Sequence, residues 1–242
     1  MNKILGVIGG NGVLATTRLC QLVEEKVTKN GAFRDGHHPE MIVWYATPAP
    51  SRSMYLEGRG PSFIPDYINV GLKLKECGCT NLCMCCNTAH FAIKEISEGV
   101  GLPFISIIDE VVKRVVSGGY QKVGIICTEG CLITDLYGKS FCKYGSTAQL
   151  VYPQDDMRKA MTQGICNVKN SIRFDKSNAD HPTLLFEKVS YSLIAEGVDC
   201  LIGGCTDISA AFSPSQYKGV PYFDSLDVLA DIIQKDFTPV RE

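Results

Sequence analysis

An internal repeat constrains this chain more than any other feature of its sequence. Leu5-Gly6-Val7-Ile8-Gly9-Gly10-Asn11-Gly12-Val13-Leu14-Ala15-Thr16 aligns with Val123-Gly124-Ile125-Ile126-Cys127-Thr128-Glu129-Gly130-Cys131-Leu132-Ile133-Thr134, 118 residues on, with Gly6, Ile8, Gly12, Leu14 and Thr16 recurring unchanged. Gly101-Leu102-Pro103-Phe104, running to Asp109, aligns at the same offset with Gly219-Val220-Pro221-Tyr222, running to Asp227. Cys86-Asn87-Thr88 and Cys205-Thr206-Asp207, 119 residues apart, both follow an apolar run. Three segments at nearly one offset predict two similar halves related by a pseudo-twofold.

Within each half, short apolar runs alternate with longer amphipathic stretches, the pattern of βα units on a mainly parallel sheet. Strands are predicted near 3–8, 41–46, 80–85, 103–107, 122–126, 149–152, 199–203 and 221–223. Helices are predicted near 14–29, 65–76, 89–98, 109–117, 132–144, 156–170, 181–196 and 225–235. Residues 31–40 and 47–64 read as loops. The expected fold is therefore α/β, two similar three-layer domains with mainly parallel sheets, and a site in the cleft between them.

Composition removes several function classes. With 24 Lys+Arg against 26 Asp+Glu, a net charge of −2 gives no electrostatic footprint for nucleic acid or a membrane surface. No apolar stretch is long enough for a transmembrane helix. The apolar run Ile4-Leu5-Gly6-Val7-Ile8 after Met1-Asn2-Lys3 is short and breaks at Gly9-Gly10, so it reads as a buried strand rather than a signal peptide. The expected location is cytoplasmic, which makes the 12 Cys reduced thiols, mostly small core residues. The run Cys77-x-Cys79-x3-Cys83-x-Cys85-Cys86 lacks Cys-x-x-Cys spacing, and strand alternation points Cys83 and Cys85 away from Cys86, so no metal site is expected. Gly10-Asn11-Gly12-Val13-Leu14-Ala15 matches a dinucleotide fingerprint, but Trp44-Tyr45-Ala46-Thr47 supplies no acidic partner. A nicotinamide enzyme is the weaker alternative. Cys127 and Cys131 read as packing residues, and His37, His38 and His181 as residues of polar segments. His90 reads as either a partner of Cys86 or a capping and packing residue.

Cys86 and Cys205 occupy equivalent positions, each just beyond a strand, where parallel sheets present ligand-binding loops. Asn87, Thr88 and Thr206 follow them with side chains and N–H groups suited to an anion. Two equivalent opposed acid/base groups suit proton removal from one face of a carbon and return to the other. A thiol of pKa about 8.5 can be thiolate base on one side and acid on the other. Amides around Gly9-Gly10-Asn11-Gly12 and Thr128-Glu129-Gly130 are candidates for stabilising the carbanion-like transition state.

Gly9-Gly10-Asn11-Gly12 with Leu14-Ala15-Thr16, then Cys86-Asn87-Thr88-Ala89-His90, then Gly204-Cys205-Thr206-Asp207, resemble the signature of the aspartate/glutamate racemases, in the cofactor-independent aspartate racemase branch. The resemblance covers essentially the whole chain. It implies that Cys86 and Cys205 are the two catalytic cysteines, that Arg52 and Lys169 bind substrate carboxylates, and that the reaction inverts Cα of an acidic amino acid without pyridoxal phosphate, metal or nucleotide. Aspartate is the expected substrate and glutamate the second. Asn11, Asn87, Thr88, Thr128 and Thr206 complete the expected substrate contacts. The resemblance also implies a homodimer, and a C-terminal segment that returns to the first domain, giving boundaries of 1–100 plus 215–242, and 101–214. Four positions depart from the family pattern: Asn11 for Met, Val13 for Pro, Ser51 for Asp and Asp207 for Glu. These put the substrate in question rather than the thiol chemistry. A lyase or decarboxylase of the same superfamily, needing one thiol, and a noncatalytic amino-acid-binding protein are the competing functions.

Overall fold

The computed structural model describes residues 3–239; the ends of the expected first domain, residues 1–2 and 240–242, lie outside the described residues. The chain divides into two compact units, the first running to Ile107 and resuming at Leu226, the second spanning Ile108–Ser225.

In the first unit β1 (Ile4–Gly9), β2 (Glu40–Tyr45), β3 (Asn81–Met84) and β4 (Phe104–Ile105) form a parallel sheet in the order β2-β1-β3-β4. β1 and β3 are buried nearly throughout, which is why they read as continuous apolar runs rather than alternating ones. One face is covered by α1 (Val13–Lys29), whose Cys20 lies near Cys83. The other carries α3 (Ile64–Glu76) and α4 (Ile93–Val100), packed through Tyr67, Leu74, Ile96 and Val100 against Ile8, Leu82 and Met84. Gly6 is required for this packing: a Cβ there would stand 2.4 Å from Leu82 Cδ2 and 3.2 Å from Leu74 Cδ1.

The second unit repeats the plan. β5 (Lys122–Cys127), β6 (Gln149–Val151), β7 (Cys200–Gly204) and β9 (Val220–Asp224) are parallel, and the short β8 (Gln216–Tyr217) adds an antiparallel edge, in the order β6-β5-β7-β9-β8. Gly124 plays the part of Gly6: its Cβ would lie 2.8 Å from Leu201 Cδ2 and 3.3 Å from Leu193 of α9 (Pro182–Ala195). α8 (Asp155–Val168) packs beside α9.

All eight predicted strands and all eight predicted helical segments are present. The loop predicted over 47–64 contains a five-residue helix, α2 (Arg52–Leu56), capped by Ser51, whose Oγ accepts from Met54 N at 3.4 Å. Five residues are too few for a hydrophobic period to register. The helix predicted over 132–144 is two, α6 (Glu129–Ile133) and α7 (Leu136–Lys143), broken where Asp135 takes a left-handed φ of 49°. Gly138 leaves the space this break needs, since a Cβ there would meet the Asp135 carboxyl at 2.2 Å. The antiparallel β8 had no two-residue signal in the sequence.

The passages between units fall after Ile107 and Ser225, each about one strand beyond the sequence boundaries near 100 and 214. β4 pairs with β3 and β9 with β7, so each stays with its sheet, and the switch comes at the following helix. Thus α5 (Ile107–Ser117), after β4, lies almost wholly in the second unit, and α10 (Ser225–Phe237), after β9, in the first. In the first unit Lys26 of α1 pairs with Asp227 and Asp231 of α10 at 2.8 and 2.7 Å. In the second, Lys143 and Ser140 of α7 bind Asp109 of α5 at 2.6 and 2.7 Å. No helix among the described residues is long and apolar enough to cross a membrane.

Candidate active site

In the first unit the carboxyl end of β3 sets out the cysteines by alternation. Cys83 and Cys85 face α1, where Cys85 bonds Thr16; burial pushes the Cys85 thiol up to about 12, leaving it protonated at neutral pH. Cys86 lies in the opposite cluster with Met84 and Tyr67, 8 % exposed. Cys77 is exposed and Cys79 buried. Among the described residues no three His, Cys, Asp or Glu side chains are grouped to hold a metal ion.

Around Cys86 the structure gathers Asn11, Arg52 and Tyr67. Asn11 Nδ2 donates to Tyr67 Oη at 2.8 Å and to the Ile8 carbonyl at 3.3 Å. The carbonyl can only accept, so the amide orientation is determined and Asn11 Oδ1 points the other way. That oxygen is buried with no hydrogen-bond partner among the described residues. An unmatched buried acceptor costs about 1–3 kcal/mol. Arg52, first residue of α2, donates to the Asn11 carbonyl at 2.7 Å and to that of Pro50 at 3.3 Å. Burial raises the Tyr67 phenol well above its ordinary range, and the nearby Cys86 adds to this, against opposing effects of Arg52 and the Asn11 hydrogen bond.

Both ring nitrogens of His90 bind backbone. Its Nδ1 bonds the Cys86 carbonyl at 2.8 Å, and Nε2 accepts from the Ile107 amide at 3.1 Å. A ring with Nδ1 donating and Nε2 accepting is a neutral imidazole that holds the loop after β3 to the chain beyond β4. Asn87 and Thr88 are buried in the same turn.

In the second unit Cys205 follows β7 directly and is 6 % exposed, in a cluster with Ile126, Val151, Val168, Phe212 and Tyr222. Two glycines precede it. A Cβ on Gly203 would lie 2.3 Å from Tyr222 Oη, and one on Gly204 2.7 Å from the Tyr137 ring. Their absence lets a tyrosine lie against each face of the strand end. Thr206 and Asp207 are buried, and Ser209, four residues beyond Cys205, donates to Asp224 at 2.5 Å. Thr128 caps α6, accepting from Cys131 N at 3.2 Å. Cys127 is pushed well above its ordinary range, chiefly by burial, as packing predicts. Glu129 is held by a bidentate pair with Arg158, one arm at 2.8 Å, and this lowers its carboxyl.

Lys169 is exposed at the C-terminal cap of α8, although the preceding Val168 is buried in the Cys205 cluster. Sequence reasoning did not single out Tyr67, Tyr137 or Tyr222 as neighbours of the thiols. Each sits far along the chain from the cysteine it approaches, so no local spacing signals it. The glycine pair before Cys205 was the available hint, since it leaves space that another element must fill.

Against known proteins, residues 5–233 match the family model described as Asp/Glu/Hydantoin racemase. The broad specificity amino-acid racemase RacX of Bacillus subtilis (strain 168) is 26% identical over 231 residues, covering 94% of this chain and 95% of that protein. The fold is similar to the Picrophilus torridus aspartate racemase, with TM-score 0.84 and 22% identity over 100% of this chain and 96% of the other. It is also similar to an aspartate racemase homologue from Pyrococcus horikoshii OT3, with TM-score 0.68 and 24% identity over 97% and 98%. The two-domain α/β fold is that of these proteins. With the family model spanning both repeats, this chain belongs to the Asp/Glu/hydantoin racemase family and is an isomerase of the racemase type acting on a small molecule.

Proposed function

We propose that the protein inverts Cα of an acidic amino acid, aspartate foremost, by a two-base mechanism in which Cys86 and Cys205 are the catalytic groups. The observation that carries this reading is the placement of both cysteines at equivalent repeat positions, each buried just beyond an interior strand of its sheet. One sulfur, as thiolate, takes the Cα proton; the other, as thiol, gives its proton to the opposite face, so the roles exchange in the reverse direction and no net proton is consumed. Arg52 binds one carboxylate through its planar fork and Lys169 the other as a point charge. Asn11 Oδ1 accepts from the substrate ammonium. Backbone and hydroxyl donors of Asn87, Thr88, Thr128 and Thr206 stabilise the charge that develops as the proton leaves.

A wider substrate range is the second reading, favoured by the likeness to a racemase named for broad specificity. One experiment separates the possibilities. Reduced protein is incubated in D₂O with L-aspartate, L-glutamate and a panel of neutral and basic L-amino acids, following Cα deuterium by NMR and product chirality by chromatography. Deuterium with the D-enantiomer from acidic substrates alone supports the proposal. Equal turnover across the panel replaces the acidic substrate by a broad one, and no exchange with any overturns the racemase reading of the site.

A further inference from the structure

A polar groove in the second unit has no task in the proposed chemistry. It lies between the turn after β5 and α8, has a volume of about 570 Å³, and is lined by Glu129, Asp155, Arg158, Lys159, Thr162 and Cys166 together with two glutamines. None of the residues assigned above to substrate lines it. The volume is within the roughly 300–1,000 Å³ of small-molecule sites and admits an amino acid with its side chain. Asp155, Arg158, Thr162 and Cys166 recur at intervals of three and four along α8, so they share one face of the helix.

Arg158 is braced in this groove by Glu129. Its Nε donates to Glu129 Oε1 at 2.8 Å and its Nη2 to Oε2, while Thr162 Oγ1 donates to the same Oε1 at 3.5 Å. A guanidinium has two edges that can each grip a carboxylate, and Glu129 occupies the one formed by Nε and Nη2. The end edge, Nη1 with the second hydrogen of Nη2, has no partner among the described residues, and the side chain is 38% exposed. A guanidinium already held in one plane loses little further freedom when a carboxylate meets its end edge. Lys159 pairs with Asp156 at 2.9 Å, outside the groove lining. What the groove presents is therefore one guanidinium edge and, one helical turn away, the exposed carboxylate of Asp155. A donor edge and an acceptor at that spacing suit a ligand that carries both charges rather than a simple anion or cation.

We propose that this groove is a binding site for the zwitterion of a free α-amino acid, separate from the thiols, with its carboxylate on the end edge of Arg158 and its ammonium on Asp155. It does not rest on the assignment of Cys86 and Cys205. Thr162 and the two glutamines offer neutral donors and acceptors to the side chain, which makes L-glutamine the probe.

Cys166 is exposed and lines the groove one turn beyond Thr162, so its alkylation by iodoacetamide, resolved by peptide mass spectrometry, reports whether the groove is filled. Cys77 and Cys142, exposed elsewhere, are the internal controls. L-glutamine is expected to slow alkylation of Cys166 saturably and to leave Cys77 and Cys142 unchanged. Asp155→Asn, at an exposed position that leaves the brace intact, and Arg158→Lys should each raise the concentration for half-protection about tenfold or more. Propionate, which lacks the ammonium, should need a similar excess. No protection of Cys166, or equal protection in wild type and both variants, overturns the proposal. Propionate protecting as well as glutamine overturns the zwitterion and leaves a plain carboxylate site. Protection is expected to persist in Cys86→Ala and Cys205→Ala whether or not these racemise; its loss in either places the ligand at the thiols and overturns the separate site.

Discussion

The two halves of this protein agree in their packing and in the hydrogen bonds that close their turns, and differ in the tyrosines that lie near each cysteine. Gly6, Leu74 and Leu82 interlock in the first sheet as Gly124, Leu193 and Leu201 do in the second. Thr16 Oγ1 donates to the Gly12 carbonyl at 2.8 Å, and Thr134 Oγ1 to that of Gly130 at 2.5 Å. His90 holds the loop after one cysteine strand to the chain end of its neighbour, and Ser209 does the same in the other half. The tyrosine near each cysteine, however, comes from inequivalent places. Tyr67 on α3 is matched in the repeat by Phe186 on α9, whereas Tyr222 on β9 is matched by Phe104 on β4. The repeated scaffold sets the position of each cysteine, and the tyrosines nearby come from elements that do not correspond in the repeat.

The sharpest way to break the comparison is to remove one sulfur at a time. Cys86→Ala and Cys205→Ala are each expected to lower racemisation by about 10²–10⁴-fold, read by chiral chromatography; retention of wild-type turnover in either breaks the equivalence of the halves. Next in size is Arg52→Lys, which removes the guanidinium fork and is expected to lower kcat/KM for aspartate by about tenfold or more through KM. A change confined to kcat would assign Arg52 to the turn it braces rather than to substrate.

Stability changes test the shared scaffold. Gly6→Ala and Gly124→Ala are expected to destabilise by about 1–3 kcal/mol each in urea melts, Gly6 more, because its Cβ approaches leucine more closely. Equal stability of either variant with wild type would show that the interlock is slack. His90→Ala should cost about 1–3 kcal/mol, since it leaves a buried carbonyl and amide unmatched.

The smallest effects concern the helices that pass between units. Burial opposes the charge on Lys26, but its bonds to Asp227 and Asp231 outweigh this and raise its pKa. Its contribution is present below the unfolded lysine value of about 10.4 and is lost as pH rises through the folded one. Burial likewise opposes the Asp109 carboxylate, and Lys143 and Ser140 outweigh it, lowering the pKa. Its contribution is present above about 3.9 and is lost as pH falls through the folded value. Lys26→Met should therefore flatten the alkaline side of the Tm profile and Asp109→Asn the acid side, each by no more than about 1 kcal/mol for such solvated pairs. Loss on the opposite side in either variant would reassign the pair.

Much of this arrangement follows from local sequence. Glycine and apolar runs at offsets of 118 and 119 determined two α/β halves, the strand ends carrying Cys86 and Cys205, and the turns at Gly12 and Gly130, because backbone conformation and burial periodicity are properties of neighbouring residues. The short α2 and β8 escaped because two to five residues carry no period, and the break at Asp135 because it depends on a side chain seated against Gly138. Tertiary structure alone decided which helix completes which unit, that His90 binds backbone on both nitrogens, and that Tyr67 and Tyr222 flank the thiols. Those contacts join residues far apart in the chain, and packing density rather than local propensity selects them.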